Sequence, residues 1–260
     1  MQISQHQWQD NIIKAQNFIY ATEKKAPENI IVGSSLSCRL VQDSLQDFFN
    51  LSFSGQSVFD GLRILKARKN LPKHLFIEMN VILKEEDKNF TGAILNPFLY
   101  SLKKYIPVLR DGKQPMAIAG LVLSEIIKET DNPDVQKVTS INQEALFLKT
   151  LNVQKKDYLN TPDKKLSETI FRQLKAYTDY FQEKGVTIIF FEMPVHPSLC
   201  NLPKALVIRE KFYINFPQNK YHYISMPDCS VYHTTDGIHL TQEETLVYTS
   251  YFIRQSKKLF

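Results

Sequence analysis

Short apolar runs recur along the chain, and they constrain its fold more than any other feature. The first run, residues 29–32, reads Asn-Ile-Ile-Val and ends at Gly33. Continuous apolar runs of this length are typical of strands that are buried on both faces of a parallel sheet. Four further segments are predicted as strands: residues 49–53, 74–79, 186–191 and 221–225.

Helical segments alternate with these strands. Apolar side chains at three- and four-residue spacing predict amphipathic helices, and Gly185 ends one of them as a C-cap. The predicted helices span residues 7–22, 36–48, 56–69, 166–184, 204–215 and 241–257. This alternation implies one α/β domain over residues 1–260, with an open parallel sheet covered by helices on both faces. In such sheets the ligand lies beyond the carboxyl ends of the strands.

The segment between the third and fourth predicted strands is too long for a simple crossover. Residues 84–163 contain no clear strand, only weakly amphipathic stretches at residues 94–105 and 116–128 and then a polar tract at 129–163. Loops longer than about 12–15 residues are uncommon unless they are functional or carry structure of their own. We therefore interpret residues 84–163 as a helical insertion that caps or shapes the site.

Composition narrows the classes of function. The 32 Lys and Arg residues exceed the 27 Asp and Glu residues, but they are scattered in pairs along the chain, which argues against a nucleic-acid partner. No run reaches the roughly 18 apolar residues that a membrane span needs. The N-terminus does not resemble a signal peptide, so the chain as given is predicted to be soluble. Compartment and oligomeric state stay open; an extracytoplasmic location would follow if an N-terminal anchor or signal had been removed.

Neither a metal nor a cofactor is predicted. The three cysteines, Cys38, Cys200 and Cys229, lack zinc-site spacing, and each is most simply a buried small side chain. In an oxidising compartment Cys200 and Cys229 could pair. The six histidines show no His-x-x-x-His spacing, and no glycine-rich loop is long enough to cradle a phosphate.

Two short motifs carry the candidate chemistry. Asp236-Gly237-Ile238-His239 offers an acid and a base three residues apart, and Gly33-Ser34-Ser35-Leu36 places a serine just after the first strand. A serine hydroxyl is a weak nucleophile until a histidine takes its proton, and a carboxylate must orient that histidine. Each motif also has a structural interpretation, because Ser35 suits a helix N-cap and Asp236 suits a turn.

The chain resembles the SGNH (GDSL-type) hydrolase family in four blocks, which are, in order, Gly33-Ser34-Ser35-Leu36, Gly55, Asn80 and Asp236-Gly237-Ile238-His239. The resemblance implies a flavodoxin-like three-layer fold in which Ser35 is the nucleophile, His239 the general base and then acid, and Asp236 the group that orients His239. It assigns the oxyanion hole to the backbone N–H groups of Ser35 and Gly55 and to the side-chain amide of Asn80.

The chain departs from the family pattern at two positions. Ser34 stands where the family usually has Asp, and Glu78 stands where its third block usually begins with Gly. Similar variants occur in bacterial SGNH-like proteins associated with polysaccharide acetylation. That resemblance implies a serine esterase or O-acyltransferase that forms an acyl-Ser35 intermediate, with an O-acetylated saccharide as substrate. The alternative is a catalytically silent module of the same fold that binds carbohydrate or assists assembly, and Glu78 favours it.

Four further residues near the predicted site have open roles. Glu78 is a candidate for substrate binding next to the oxyanion hole. Glu192 ends the fourth strand and is expected either to bond a sugar hydroxyl or to lie in a surface loop. His196 follows the same strand and is expected either to touch substrate or to be structural. His233 also lies three residues from Asp236, but the family motif, with histidine after aspartate, favours His239.

Overall fold

The computed structural model describes residues 4–21, 27–113 and 139–260. Its strands are β1 (Asn29–Val32), β2 (Phe48–Asn50), β3 (His74–Glu78), β4 (Thr187–Phe191) and β5 (His222–Ile224). Its helices are α1 (Gln5–Ile19), α2 (Ser35–Cys38), α3 (Val58–Lys66), α4 (Lys88–Leu95), α5 (Pro97–Tyr105), α6 (Thr139–Leu159), α7 (Lys164–Glu183), α8 (Pro197–Cys200), α9 (Pro203–Asn215) and α10 (Gln242–Ser256). Short 3-10 turns lie at Gln42–Ser44, Pro107–Leu109, Asp111–Lys113 and Cys229–Val231.

All five strands are parallel and follow the order β2-β1-β3-β4-β5, which is the order of flavodoxin-like sheets. The register sets Val32 opposite Ile77 and Glu78 opposite Phe191, so the central strands end at one edge. The strand order reverses between β1 and β3, where open α/β sheets bind their ligands. The predicted α/β class and parallel sheet are therefore confirmed.

Alternate residues of the strands face two separate cores. Ile30 and Val32 pack with α1, α3, α4, α7 and α9 on one face, whereas Ile31 packs with α10 on the other. All three side chains are at most 1% exposed. Burial on both faces explains why β1 reads as a continuous apolar run rather than an alternating one. The sheet is thus the middle of three layers.

The helix predicted over residues 36–48 is wrong. α2 ends at Cys38, and Asn50 Nδ2 donates a 2.8 Å hydrogen bond to the carbonyl of Ser37, which a longer helix would have used itself. The chain then passes through a 3-10 turn and buries Leu45 before β2 begins. The short α2 leaves Ser35 in a helical first turn directly beyond β1.

Between β3 and β4 the described residues form helices and turns but no strand. Two helices, α4 and α5, replace the single stretch predicted at 94–105, because Asn96 caps a new helix that starts at Pro97. The stretch predicted at 116–128 lies outside the described residues. α6 lies within the tract predicted only as polar; apolar side chains such as Leu148 and Val153 occupy its exposed side and obscure its periodicity.

A disulfide joins Cys200 to Cys229, a pairing that the sequence left open. The two Cα atoms lie 6.5 Å apart across a separation of 29 residues. The bond ties the end of α8 to the 3-10 turn that precedes the acid–base loop, residues 236–239, whereas Cys38 is not part of a disulfide. Structural disulfides of this kind are typical of oxidising compartments.

Candidate active site

Three side chains from two distant parts of the chain meet beyond the carboxyl ends of the strands. Ser35 Oγ lies 2.8 Å from His239 Nε2 although 204 residues separate them. His239 Nδ1 in turn lies 2.7 Å from Asp236 Oδ2. This is the order in which a histidine activates a serine hydroxyl and a carboxylate orients the histidine. The structure therefore brings together the three residues that the two motifs single out.

The loop before α10 fixes its own acid and base. Asp236 Oδ1 accepts the backbone N–H groups of Ile238 at 3.1 Å and His239 at 2.9 Å, while its other oxygen bonds the imidazole. Gly237 has φ of 98°, a conformation that residues with a Cβ rarely adopt. The spacing Asp-Gly-x-His therefore has a local cause, since the carboxylate caps the same turn that presents the histidine.

His233 does not face the serine. Its side chain is 82% exposed, and Nδ1 lies 2.8 Å from Glu244 Oε1 on the first turn of α10. Because Ser35 bonds His239 instead, the geometry agrees with the choice of His239 as the base.

The environment of Asp236 keeps this residue ionised. Burial raises the pKa of the carboxyl, but hydrogen bonds from the ring and backbone of His239 and from the backbone of Ile238 outweigh burial and lower the pKa to about 2. A carboxyl whose pKa falls below its unfolded value of 3.8 stabilises the folded state above that value. This stabilisation is lost as the pH falls through the folded pKa.

We therefore expect Asp236→Asn to lower stability in a pH-dependent way. At pH 6 the wild type should exceed the variant by about 1–2 kcal/mol in free energy of unfolding, after allowance for partial exposure of the carboxylate. The difference should shrink towards zero as the pH approaches 2. Urea unfolding of both proteins at pH 6, 4 and 2 measures it, and a difference that does not change with pH would contradict the assignment.

Glu78 organises the nucleophile turn, residues 34–37, which carries the candidate nucleophile Ser35. Its carboxylate is 1% exposed and accepts four hydrogen bonds, two from Ser34 and two from Ser37. Oε2 takes the backbone N–H of Ser34 at 2.9 Å, the backbone N–H of Ser37 at 3.1 Å and the Ser37 hydroxyl at 2.6 Å, while Oε1 takes the Ser34 hydroxyl at 2.7 Å. Both carboxylate oxygens of Glu78 thus accept hydrogen bonds from the protein itself, so the carboxylate is not presented to substrate.

Gly33 makes this arrangement possible. A Cβ at that position would lie 2.1 Å from Ser37 Oγ and 2.6 Å from Glu78 Oε2, both far inside van der Waals contact. Only glycine therefore lets β3 bring its terminal carboxylate under the nucleophile turn. The family resemblance did not predict this role. The sequence did indicate it, because the chain has Ser34 where the family usually has a carboxylate and has the carboxylate Glu78 where the family usually has glycine.

The backbone N–H groups of Ser35 and Gly55 have no acceptor among the described residues. Glu78 accepts hydrogen bonds from the backbone N–H groups of Ser34 and Ser37, and the Ser34 hydroxyl accepts one from Leu36. The backbone N–H of Ser35 bonds none of the described residues. The N–H of Gly55, where φ is 68°, likewise meets no acceptor in the part of the chain that the structure describes. Free N–H groups of this kind are what an oxyanion hole requires.

The Gly55 loop is held by residues that sequence reasoning missed. Asn11 on α1 pairs with the backbone of Ser54, donating to its carbonyl at 2.8 Å and accepting its N–H at 3.1 Å. Lys84 donates to the carbonyl of Gly55. Lys14, also on α1, donates to the carbonyl of Ser52 at 2.7 Å. The loop is therefore tethered on several sides, while the N–H of Gly55 bonds none of the residues that the structure describes.

Asn80 follows β3 and is engaged with the neighbouring loop. Its Oδ1 accepts the backbone N–H of Met193 at 2.7 Å, and Nδ2 donates to the Met193 carbonyl at 2.9 Å. One amide hydrogen is used in this way, which leaves the second for an oxyanion. The role of Asn80 in the oxyanion hole remains a prediction.

Glu192 forms a buried ion pair. Its side chain accepts Arg209 Nε at 2.7 Å and Nη2 at 2.8 Å, and Tyr248 donates to its carbonyl at 2.8 Å. The residue is only 9% exposed, so the expected surface-loop position is wrong. Because Arg209 takes both carboxylate oxygens, Glu192 does not offer them to a sugar hydroxyl in this arrangement.

His196 lies beside the acid–base loop. Its backbone N–H donates to the carbonyl of Gly237 at 2.8 Å, and its Nδ1 accepts the N–H of Ser198 at 3.2 Å as the N-cap of α8. The structural role expected for this residue is therefore present. Its ring is partly exposed.

Comparisons with known proteins add no family to these observations, because no family model, curated protein or solved structure matches the chain. Among the described residues, no group of three or more histidine, cysteine or acidic side chains is placed to hold a metal ion. No helix in the same residues has the length and apolar character needed to cross a bilayer.

Proposed function

We propose that this protein is an SGNH-type serine esterase or O-acyltransferase that acts through an acyl-Ser35 intermediate. One observation carries the proposal: Ser35, His239 and Asp236 form an unbroken hydrogen-bonded series, with contacts of 2.8 and 2.7 Å, at the edge of the sheet where ligands bind. The flavodoxin-like strand order and the unused N–H groups of Ser35 and Gly55 support it.

The acylation half-reaction starts at the serine hydroxyl. His239 Nε2 takes the proton as Ser35 Oγ bonds the acyl carbon, and negative charge moves to the carbonyl oxygen, for which the N–H groups of Ser35 and Gly55 are the proposed donors. The carbon–oxygen bond to the alcohol then breaks, and His239 returns the proton to the departing alcohol oxygen. Asp236, ionised because its pKa is about 2, stabilises the imidazolium in between.

The second half-reaction regenerates the enzyme. Water or a second hydroxyl gives its proton to His239 Nε2 as its oxygen bonds the acyl carbon. The bond between the acyl carbon and Ser35 Oγ then breaks, and His239 Nε2 returns the proton to Ser35 Oγ. A water acceptor yields hydrolysis, whereas a sugar hydroxyl yields acyl transfer.

An O-acetylated saccharide is the substrate class that we propose, on the family resemblance. We expect the protein to release acetate from acetylated xylo-oligosaccharides, or to move acetyl groups between them, with kcat/KM at least tenfold above that for p-nitrophenyl acetate. Acetate release and mass spectrometry of the oligosaccharides measure both outcomes. Turnover of p-nitrophenyl acetate without any saccharide activity would contradict the substrate proposal but not the mechanism.

The silent-module alternative loses its main support from the sequence. It rested on Glu78, which stands where the family has glycine. The carboxylate of Glu78 is directed into the nucleophile turn, where Ser34 and Ser37 occupy it, and Ser35 keeps its contact with His239. Glu78 therefore no longer favours an inactive site.

A further inference from the structure

One helix of the insertion lies against the acid–base loop. The Cδ1 atom of Leu151 on α6 is 2.9 Å from the point where a Cβ on Gly237 would stand. Phe147 precedes Leu151 by one turn, and Tyr158 follows it by two turns, so all three side chains share one face of α6. Tyr158 is buried, while Phe147 and Leu151 are partly buried, which shows that this face is directed inwards.

Phe147 meets His196 beside the same loop. Their ring centroids lie 5.8 Å apart with the planes tilted by 59°. Because the backbone of His196 bonds the carbonyl of Gly237, this ring pair is anchored two residues from the catalytic candidate His239. Both rings are partly exposed, so each presents part of its surface to solvent at the rim of the site.

The N-cap of α8 sets the tautomer of His196. Nδ1 accepts the backbone N–H of Ser198 at 3.2 Å and lies 2.8 Å from the Ser198 hydroxyl, which can donate to it as well, so the proton of the neutral ring is assigned to Nε2. Burial, and then the nearby His233, lower the pKa of His196, which favours the neutral ring. Nε2–H has no hydrogen-bond partner in the described ranges, and a donor of this kind at a binding edge is available to a ligand hydroxyl.

We propose that Phe147 and His196 form a sugar-binding subsite next to the triad, an inference that rests on the proposed function and extends it to substrate recognition. Phe147 offers an aromatic face for the C–H side of a pyranose ring, and His196 offers the Nε2–H donor for a ring hydroxyl or acetyl carbonyl. α6, in the insertion, thereby selects saccharide esters over simple esters.

Two variants test the subsite while keeping its scaffold. His196→Asn removes the imidazole donor but retains an N-cap acceptor for α8, and Phe147→Ala removes the aromatic face. We expect each variant to raise KM for acetylated xylo-oligosaccharides about tenfold and to lower kcat/KM for them at least fivefold more than for p-nitrophenyl acetate. Leu148→Ala, on an exposed side of the same helix, is the matched control and should change neither KM nor kcat/KM for the oligosaccharides.

A binding measurement separates failure of the subsite from failure of the proposed reaction. In the Ser35→Ala background, calorimetry should show that adding His196→Asn weakens binding of the acetylated xylo-oligosaccharide about tenfold. Equal losses on both substrates, or unchanged binding, would overturn the subsite even if the wild type releases acetate. Binding that depends on Phe147 and His196 in a protein that neither cleaves p-nitrophenyl acetate nor releases or transfers acetyl groups would support the subsite and overturn the catalytic proposal.

Discussion

Replacing Ser35 or His239 by alanine should lower kcat for p-nitrophenyl acetate by roughly 10⁴-fold or more. In a serine–histidine–aspartate site, removing the nucleophile or the base costs nearly as much as removing the whole set, because each depends on the other. The 2.8 Å contact between Ser35 Oγ and His239 Nε2 makes these two residues one unit. The double variant should therefore be no slower than the single variants, within a factor of a few.

His233→Ala is the matched control for His239→Ala. Both histidines lie three residues from Asp236, but the His233 ring is exposed and bonds Glu244. Its loss should leave turnover within about twofold of the wild type, as expected for a surface contact. Undiminished turnover in both Ser35→Ala and His239→Ala, with folding verified by circular dichroism, would contradict the triad.

The second large effect should come from Glu78→Ala. Both Ser34 and Ser37, at most 3% exposed, would lose the acceptor of a backbone N–H, and each such loss costs about 1–3 kcal/mol. We therefore expect the free energy of unfolding to fall by roughly 3 kcal/mol or more. Activity should fall by about 10²-fold in the folded fraction, because the nucleophile turn is no longer held in place.

Glu78→Gln separates hydrogen bonding from charge. An amide oxygen placed where Oε2 stands keeps three of the four acceptor contacts, and the amide nitrogen can donate to the Ser34 hydroxyl. This variant should lose about 1 kcal/mol or less and retain most of the activity. A Gln variant as impaired as the Ala variant would show that the negative charge itself is required.

A double exchange tests whether Glu78 takes the place of the acid that SGNH hydrolases, the proposed family, usually have where this chain has Ser34. Ser34 is the N-cap of α2, so an aspartate there can accept N–H groups of the first turn. Ser34→Asp alone would set two carboxylates together in a buried site, and Glu78→Gly alone would leave donors unpaired. The double variant should be more stable than either single variant; strictly additive losses would contradict the exchange.

The central sheet was predictable because its signal is local. The central strands β1, β3 and β4 are buried on both faces, as Ile30, Ile31 and Val32 are, and the resulting apolar runs are visible without any tertiary information. The end of α2 was not predictable in this way. It depends on Asn50, which takes the carbonyl of Ser37 from another segment of the chain.

The site was predictable only where its residues lie close in sequence. Asp236 and His239 belong to one turn, so their spacing carries the signal, and Ser35 follows a recognisable strand. The partners of Glu78, by contrast, lie 41 and 44 residues away, and Arg209 on α9 neutralises Glu192, which follows β4. Phe147 and His196 come together only through the packing of α6, whose pattern is obscured by exposed apolar residues.

Labelling with a fluorophosphonate tests the central claim most directly, because the probe reacts with an activated serine and needs no knowledge of the substrate. Intact-mass analysis and peptide mapping of the labelled protein identify the site. The triad predicts one adduct on Ser35 in the wild type, none in Ser35→Ala, and strongly slowed labelling in His239→Ala. A folded wild type that stays unlabelled, or labelling of Ser35 that is equally fast without His239, would contradict it.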